Sequence, residues 1–224
     1  MPRSAKDKRT RPQQRIGSRI YIICEGQNTE VDYFERYANL IHDTHTCQII
    51  HPEATTPEAL VRETVKIKQL RGFDDDVFWV VFDKEQSSER SKASIRRAYE
   101  LAGANGIRIA ISCVCFEVWL LLHMKNSKPR PFSSASELLK SSDFRGFLTK
   151  YKLPTNTKSK MASMSLMKEL VTLERVKQAK KLAKQMNRDW KQIDLEKKPY
   201  ELDSYTNVHE LIDDIDCMLK INSQ

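Results

Sequence analysis

The sequence predicts an α/β fold, a parallel β-sheet flanked by helices and followed by an all-helical C-terminal region. Three observations carry this. Four short β-favouring runs (20–24, 46–51, 77–82 and 107–112) alternate with stretches of helical period, the order of strands joined by right-handed crossovers. The first run, Ile20-Tyr21-Ile22-Ile23-Cys24, is continuously apolar rather than alternating, as in strands covered on both faces. Beyond Lys125 a linker, Asn126 to Pro131, leads into helical periodicity with no good strand. The chain then divides into a basic arm (1–18), an α/β domain (19–125) and a helical region (126–224).

In chain order, Met1 to Ser18 has almost nothing to bury and is predicted to be a disordered arm that contacts nucleic acid. After the first strand, Gly26 permits a sharp exit, and Asn28 or Thr29 caps a helix that buries Val31, Tyr33, Phe34, Tyr37, Ala38 and Ile41. Following the second strand, Thr56 caps and Pro57 opens a helix with Leu60, Val61, Thr64, Val65 and Leu70 along one side. Asp74-Asp75-Asp76 makes a solvated turn before the third strand, Val77 to Phe82, the most β-like window of the chain. That strand ends at Asp83-Lys84-Glu85, and Ser87 or Ser88 caps a helix burying Ile95, Ala98, Tyr99 and Ala102. Gly103 to Gly106 turns the chain into the fourth strand, and an apolar helix over Cys115 to Met124 carries Glu117 and His123.

The C-terminal region is predicted to hold a helix over Ser136 to Leu148 interrupted by Gly146, and a loop from Tyr151 to Lys160. A long amphipathic helix should run from Ser163 to Trp190, burying Leu166, Met167, Leu170, Val171, Leu182, Ala183, Met186 and Trp190. Its outer face carries Lys168, Arg175, Lys180, Lys181, Lys184 and Arg188. A last helix starts near Asn207, where Asn207-x-x-Glu210 resembles a capping box.

Charge is unevenly distributed along this order. The net +8 of the 224 residues resolves into seven Lys/Arg against one acid over 1–19, and eleven against sixteen over 20–124. It continues as nineteen against seven over 125–198 and one against six over 199–224. An acidic core flanked by basic segments suits a polyanionic partner, although lysine-rich helices also serve solubility. Five cysteines, four of them inside apolar segments, fit buried thiols in a reducing cytoplasm better than a disulfide framework. No apolar run approaches the roughly 20 residues of a membrane span, so no membrane partner is expected.

The carboxylates point to chemistry. Glu25 ends the first strand, while Asp83 and Glu85 end the third, the strand edge at which open α/β sheets place ligands. If the two strands are neighbours, three carboxylates converge, and such a cluster selects a hard cation, Mg²⁺ or Mn²⁺. Asp83 and Glu85 could share one ion, and Glu25 could ligate it or act as general acid or base. Beside a basic surface, this suits metal-assisted phosphodiester cleavage. Lys84, Lys92 and Arg97 are candidates for meeting transition-state charge. Two readings of Glu117 stand, a member of the site or a paired carboxylate within an apolar helix. His123 is expected to pack or to compensate the helix dipole.

These residues carry a resemblance. Glu25-Gly26 after an apolar strand, with an acidic pair after a later strand, resembles the Toprim domain of topoisomerases, bacterial primases, small ribonucleases and OLD-family nucleases. More narrowly, E-G-x-x-T-E-x-x-Y-F (Glu25 to Phe34), F-E-x-W-L-L-L-H (Phe116 to His123) and T-N-V-H-x-L (Thr206 to Leu211) resemble the RloB-like family. The resemblance implies a Toprim-like sheet and nuclease activity in bacterial anti-phage defence, on RNA or DNA. It also implies Glu30 as a second metal ligand, beside the plainer reading of a carboxylate favoured by a helix N-terminus. Two departures stand out: Asp83-Lys84-Glu85 replaces the usual D-x-D, and Cys113-Val114 stands where the family has Asn-Pro. The rival reading, from another class, is a non-catalytic module that binds a metal–nucleotide or regulates another defence protein. No G-x-x-x-x-G-K-[ST] motif is present to supply an ATPase in the same chain.

Overall fold

A computed structural model describes residues 17–54, 56–84, 89–155, 159–193 and 196–222. Of the expected features, the arm up to residue 16, the caps at Ser87 and Ser88, Glu85 and the Trp190 side chain lie outside what is described.

Five strands form one sheet: β1 (Ile20–Cys24), β2 (Cys47–Ile50), β3 (Val77–Asp83), β4 (Arg108–Cys113) and β5 (Tyr205–Thr206), in the order β2-β1-β3-β4-β5. The first four run parallel, as the alternating pattern requires. Their connections are α1 (Thr29–Leu40), α2 (Pro57–Arg71) and α3 (Glu89–Ala104), and α4 (Glu117–Met124) follows β4. The helical region comprises α5 (Ala135–Leu139), α6 (Ser142–Lys150), α7 (Lys160–Leu170), α8 (Leu173–Ile193) and α9 (Val208–Asn222).

Strand β1 is buried throughout, and its side chains alternate between two cores. Ile20, Ile22 and Cys24 join a cluster with Tyr33, Phe34, Trp119 and Leu120, while Tyr21 and Ile23 join Leu60, Val61 and Ile95. Period-two alternation explains this, since neighbours on a strand face opposite sides. The first cluster continues through Phe144, Leu166, Leu182 and Ile212. One core therefore unites the α/β segment with the helical region.

Several expectations are corrected. A strand does occur late in the chain: β5 pairs antiparallel with β4, Ser112 opposite Thr206, and is too short to show in a hydrophobic pattern. The predicted single helix over Ser163 to Trp190 is two, α7 and α8. They part at Val171-Thr172, where the Arg175 N–H donates to Thr172 Oγ1 at 3.3 Å and the cap ends the first ladder. The predicted helix over Ser136 to Leu148 likewise breaks at Ser141, which caps α6 by accepting from the Phe144 N–H, whereas Gly146 lies inside α6.

Leu70 is 83% exposed, because α2 turns only Leu60, Val61 and Thr64 fully inward. Asp76 is buried rather than solvated. Its two oxygens accept the N–H groups of Arg19 and Phe73 at 2.9 and 3.0 Å, fastening the start of β3.

Asn207 does not make a reciprocal capping box. Its side chain extends the β4 ladder instead: Oδ1 accepts the Ile111 N–H and Nδ2 donates to the Ile109 carbonyl, both at 2.8 Å. Four cysteines are buried and Cys217 is exposed, all as free thiols. The Cys113–Val114 peptide bond is cis. Among the described residues, no helix is long and apolar enough to cross a membrane.

Candidate functional site

The carboxyl ends of β1 and β3 are adjacent, with Cys24 opposite Val81, so the condition set by the sequence is met. Asp83 follows Trp79 and Val81 on the face that packs against α1 and α4. At that edge a pocket of about 600 Å³ is lined by Gly26 to Glu30 from the first turn and α1, and by Asp83. Glu117 at the start of α4 also lines it, and Lys140 and Arg145 face it from the helical region.

Glu25 sits beside this pocket. Its Oε2 accepts the Asp83 backbone N–H at 3.4 Å, and its own N–H donates to Val81 O at 2.9 Å. The glutamate is thus braced across both strand ends. Glu30 is 7% exposed, an uncommon environment for a carboxyl. Burial, followed by the nearby Glu117 and Glu25, raises its pKa from 4.5 to about 7, against the lowering effect of its own N–H and that of Gly26. Asp83 is pushed well above the ordinary carboxylate range by burial, then by Glu30, Glu117 and Glu25, partly opposed by the Phe116 N–H. Its Oδ1 is sealed from solvent without a hydrogen-bond partner. Four carboxylates therefore share one electrostatic environment, and Glu117 belongs to it.

The chain bends at Glu25 to Asn28 as expected, but Gly26 is not among the positive-φ glycines, so space rather than left-handed backbone calls for glycine there. A Cβ at position 26 would fall 1.8 Å from Glu30 Oε2. The missing side chain leaves the space into which the Glu30 carboxylate folds, against the Gly26 N–H. The Glu-Gly pair and the later Glu30 are in this way one structural unit.

Other candidates fall elsewhere. Lys84, the alternate neighbour of Asp83, donates from Nζ to Leu202 O at 2.8 Å and anchors the turn before β5. Arg97 pairs with Glu58 between α3 and α2, and neither it nor the exposed Lys92 lines the pocket. On α8, Lys180 bridges Asp213 and Asp216 of α9, and Lys184 pairs with Asp213. These lysines fasten helices rather than present an open cationic face, whereas Lys181 and Arg188 remain exposed.

His123 is a packing residue at the far end of α4, 3% exposed. It contacts the Tyr33 hydroxyl at 3.1 Å and Trp119 O at 2.9 Å, and burial lowers its pKa to about 3. Lys140 and Arg145 were not singled out by the sequence. Their only signal was membership of the basic segment 125–198.

The donor set suits a hard cation. Every candidate ligand is a carboxylate oxygen, the group repels itself, and Asp83 Oδ1 is orphaned and buried. Among the described residues, no three His, Cys, Asp or Glu side chains already form a ligand cluster. Glu85, the remaining expected ligand, is outside them.

A family model described as RloB-like protein matches residues 20–215, from β1 into α9. No curated protein matches the chain.

Proposed function

The chain belongs to the RloB-like family, and from that premise we propose that it is a metal-dependent nuclease of the Toprim type. Its place would be bacterial anti-phage defence, as the family resemblance implies. The observation that carries this reading is one pocket lined by Glu30, Asp83 and Glu117 together with Lys140 and Arg145, with Glu25 in the same electrostatic environment. Acidic and basic groups lining one pocket fit a phosphodiester with a divalent cation better than either set alone.

Glu25, Asp83, Glu117 and Glu30 are the residues that would hold Mg²⁺ or Mn²⁺. When bound, such an ion would polarise the phosphoryl oxygen and make a bound water more acidic. The chain supplies the rest. Lys140 and Arg145, which line the same pocket, meet phosphate charge. Without a cation the Glu30 pKa is raised to about 7, so an ion held there would displace its proton. Glu25, braced on the Asp83 N–H, fixes the spacing between the two strand ends.

The test incubates the full-length protein with labelled RNA, single-stranded DNA and duplex DNA, with Mg²⁺ or Mn²⁺, beside Glu25→Ala and Asp83→Asn. Cleavage of at least one substrate, lost in both variants, is expected. Cleavage that survives both would remove the site. Metal binding without cleavage of any substrate would favour the rival, a non-catalytic metal–nucleotide module.

A further inference from the structure

A second cleft, of about 690 Å³, lies at the other end of α4 between α4, α6 and α8. Lys125, Lys150, Arg175, Lys177 and Lys181 line it, against two acids, Asp143 and Glu174. Asp143 is engaged by Lys125. Arg175 is held in place: it donates to the Tyr151 hydroxyl at 2.5 Å and lies over the Phe147 and Tyr151 rings.

Lys150, Lys177 and Lys181 make no ion pair among the described residues. The contrast with Lys180 and Lys184 is informative. Helix α8 turns those two toward the acids of α9, where they are neutralised, and turns Lys177 and Lys181, one turn apart, into the cleft. Collecting unneutralised cations in a concavity is unfavourable unless an anion is to occupy it.

Gly146 adds an observation independent of charge. It lies within α6, lines the cleft, and a Cβ there would meet nothing within 4 Å. Glycine inside a helix costs about 1 kcal/mol relative to alanine, and packing gives no reason for it here. Close approach of a ligand to the helix backbone would.

Helix α4 has eight residues, about 12 Å of rise at 1.5 Å per residue. Glu117 and the carboxylate pocket lie at its start, the cleft at its end. Between them runs α6, with Arg145 and Leu148 on the pocket and Gly146, Phe147 and Lys150 on the cleft. At about 3.4 Å per nucleotide of a stacked strand, the separation is roughly three to four nucleotides.

We propose that this cleft is a phosphate-binding subsite for a nucleic-acid strand, seating backbone phosphates a few nucleotides from the one at the carboxylate pocket. The choice of a polynucleotide and this spacing rest on the nuclease reading; the cleft itself does not.

The test measures binding of short labelled single-stranded RNA and DNA by anisotropy, in EDTA, so that affinity is read without cleavage. The Lys177→Gln/Lys181→Gln double variant should bind about tenfold more weakly, and its log–log salt slope should be shallower by about 1.4, two contacts at 0.7 each. Lys168→Gln/Lys220→Gln removes the same charge from exposed positions outside the cleft and should bind like the wild type. Gly146→Gln puts an uncharged side chain into the cleft and should also weaken binding, with circular dichroism unchanged.

Equal losses in the two double variants, an unchanged salt slope, full affinity in Gly146→Gln, or equally tight binding of polyglutamate would each overturn the proposal. Cleft-dependent binding by a protein that cleaves nothing would refute the nuclease reading and leave the subsite standing. Cleavage with cleft-independent binding would do the reverse.

Discussion

Replacing Glu30 by glutamine separates the cost of the carboxylate cluster from its use. In the folded chain Glu30 titrates at about 7 instead of 4.5. Between those values the folded state keeps a proton that the unfolded state has released, so stability is highest below 4.5 and falls as pH rises toward 7. At about 1.4 kcal/mol per pH unit the full difference is about 3 kcal/mol. Asp83 is raised in the same direction and adds to the fall.

Glutamine keeps the shape of Glu30 and an acceptor for the Gly26 N–H, but it carries no charge. Urea unfolding in EDTA should therefore show Glu30→Gln gaining on the wild type as pH rises from about 4.5 to 8, by a few kcal/mol. Saturating Mg²⁺ should narrow the gap, because an ion bound only to the folded state stabilises the protein that keeps the ligand. A stability difference that is flat across this pH range would refute the buried, mutually repelling cluster. Equal stabilisation of both proteins by Mg²⁺ would remove Glu30 from the ligand set.

Two further substitutions test the local arguments. Gly26→Ala would place a methyl group where the Glu30 carboxylate now lies. It should displace that carboxylate while leaving the chain folded, so that on the proposed nuclease reading cleavage falls, and a wild-type rise of stability toward low pH in Gly26→Ala would refute the shared space. Asn207→Ala removes both side-chain bonds to β4 and leaves a buried N–H and carbonyl unmet. A loss of about 2–4 kcal/mol in denaturant unfolding is expected, and a change below about 0.5 kcal/mol would refute the ladder role.

What the sequence made legible follows from where the information lies. Strand β1, with Ile20 to Cys24 buried throughout, announces itself because a doubly covered strand must be apolar at every position. The adjacency of β1 and β3 entered only as a condition, because alternating strands and helices allow several strand orders, and the sheet order β2-β1-β3 meets it. Strand β5 does not announce itself, because two residues hold no period. Its place depends on Thr206 meeting Ser112 Oγ at 3.0 Å and on the Asn207 amide reading β4, partners 94 and 96 residues away. The break between α7 and α8 is similarly hidden, since Leu170 and Val171 continue the apolar stripe without a glycine or proline, and only Thr172 marks the stop.

The site was legible to the same degree. Glu25 and Asp83 could be placed from strand ends, but Glu30 and Glu117 each kept two readings, because burial of a helix-start carboxylate is a tertiary fact. Gly26 fixes where the Glu30 carboxylate lies, in the space that a side chain at position 26 would fill. Lys84 and Lys180 failed as open cations for a common reason: composition counts charges, and the fold decides which are already paired.

That distinction bears on how the chain is divided. The alternation of acidic and basic segments reads naturally as separate domains, one carrying the chemistry and one holding a polyanion. In the folded chain both kinds of segment line one pocket, Asp83 and Glu117 from the acidic part and Lys140 and Arg145 from the basic part. The late acidic segment binds the arrangement together. Asp214 accepts from Trp79 Nε1 at 2.8 Å and pairs with Arg108, while Asp216 joins the Tyr37 hydroxyl to Lys180. A helical region so fastened to the sheet is part of the pocket's construction, and the charge sorting along the sequence records which lining groups each segment supplies.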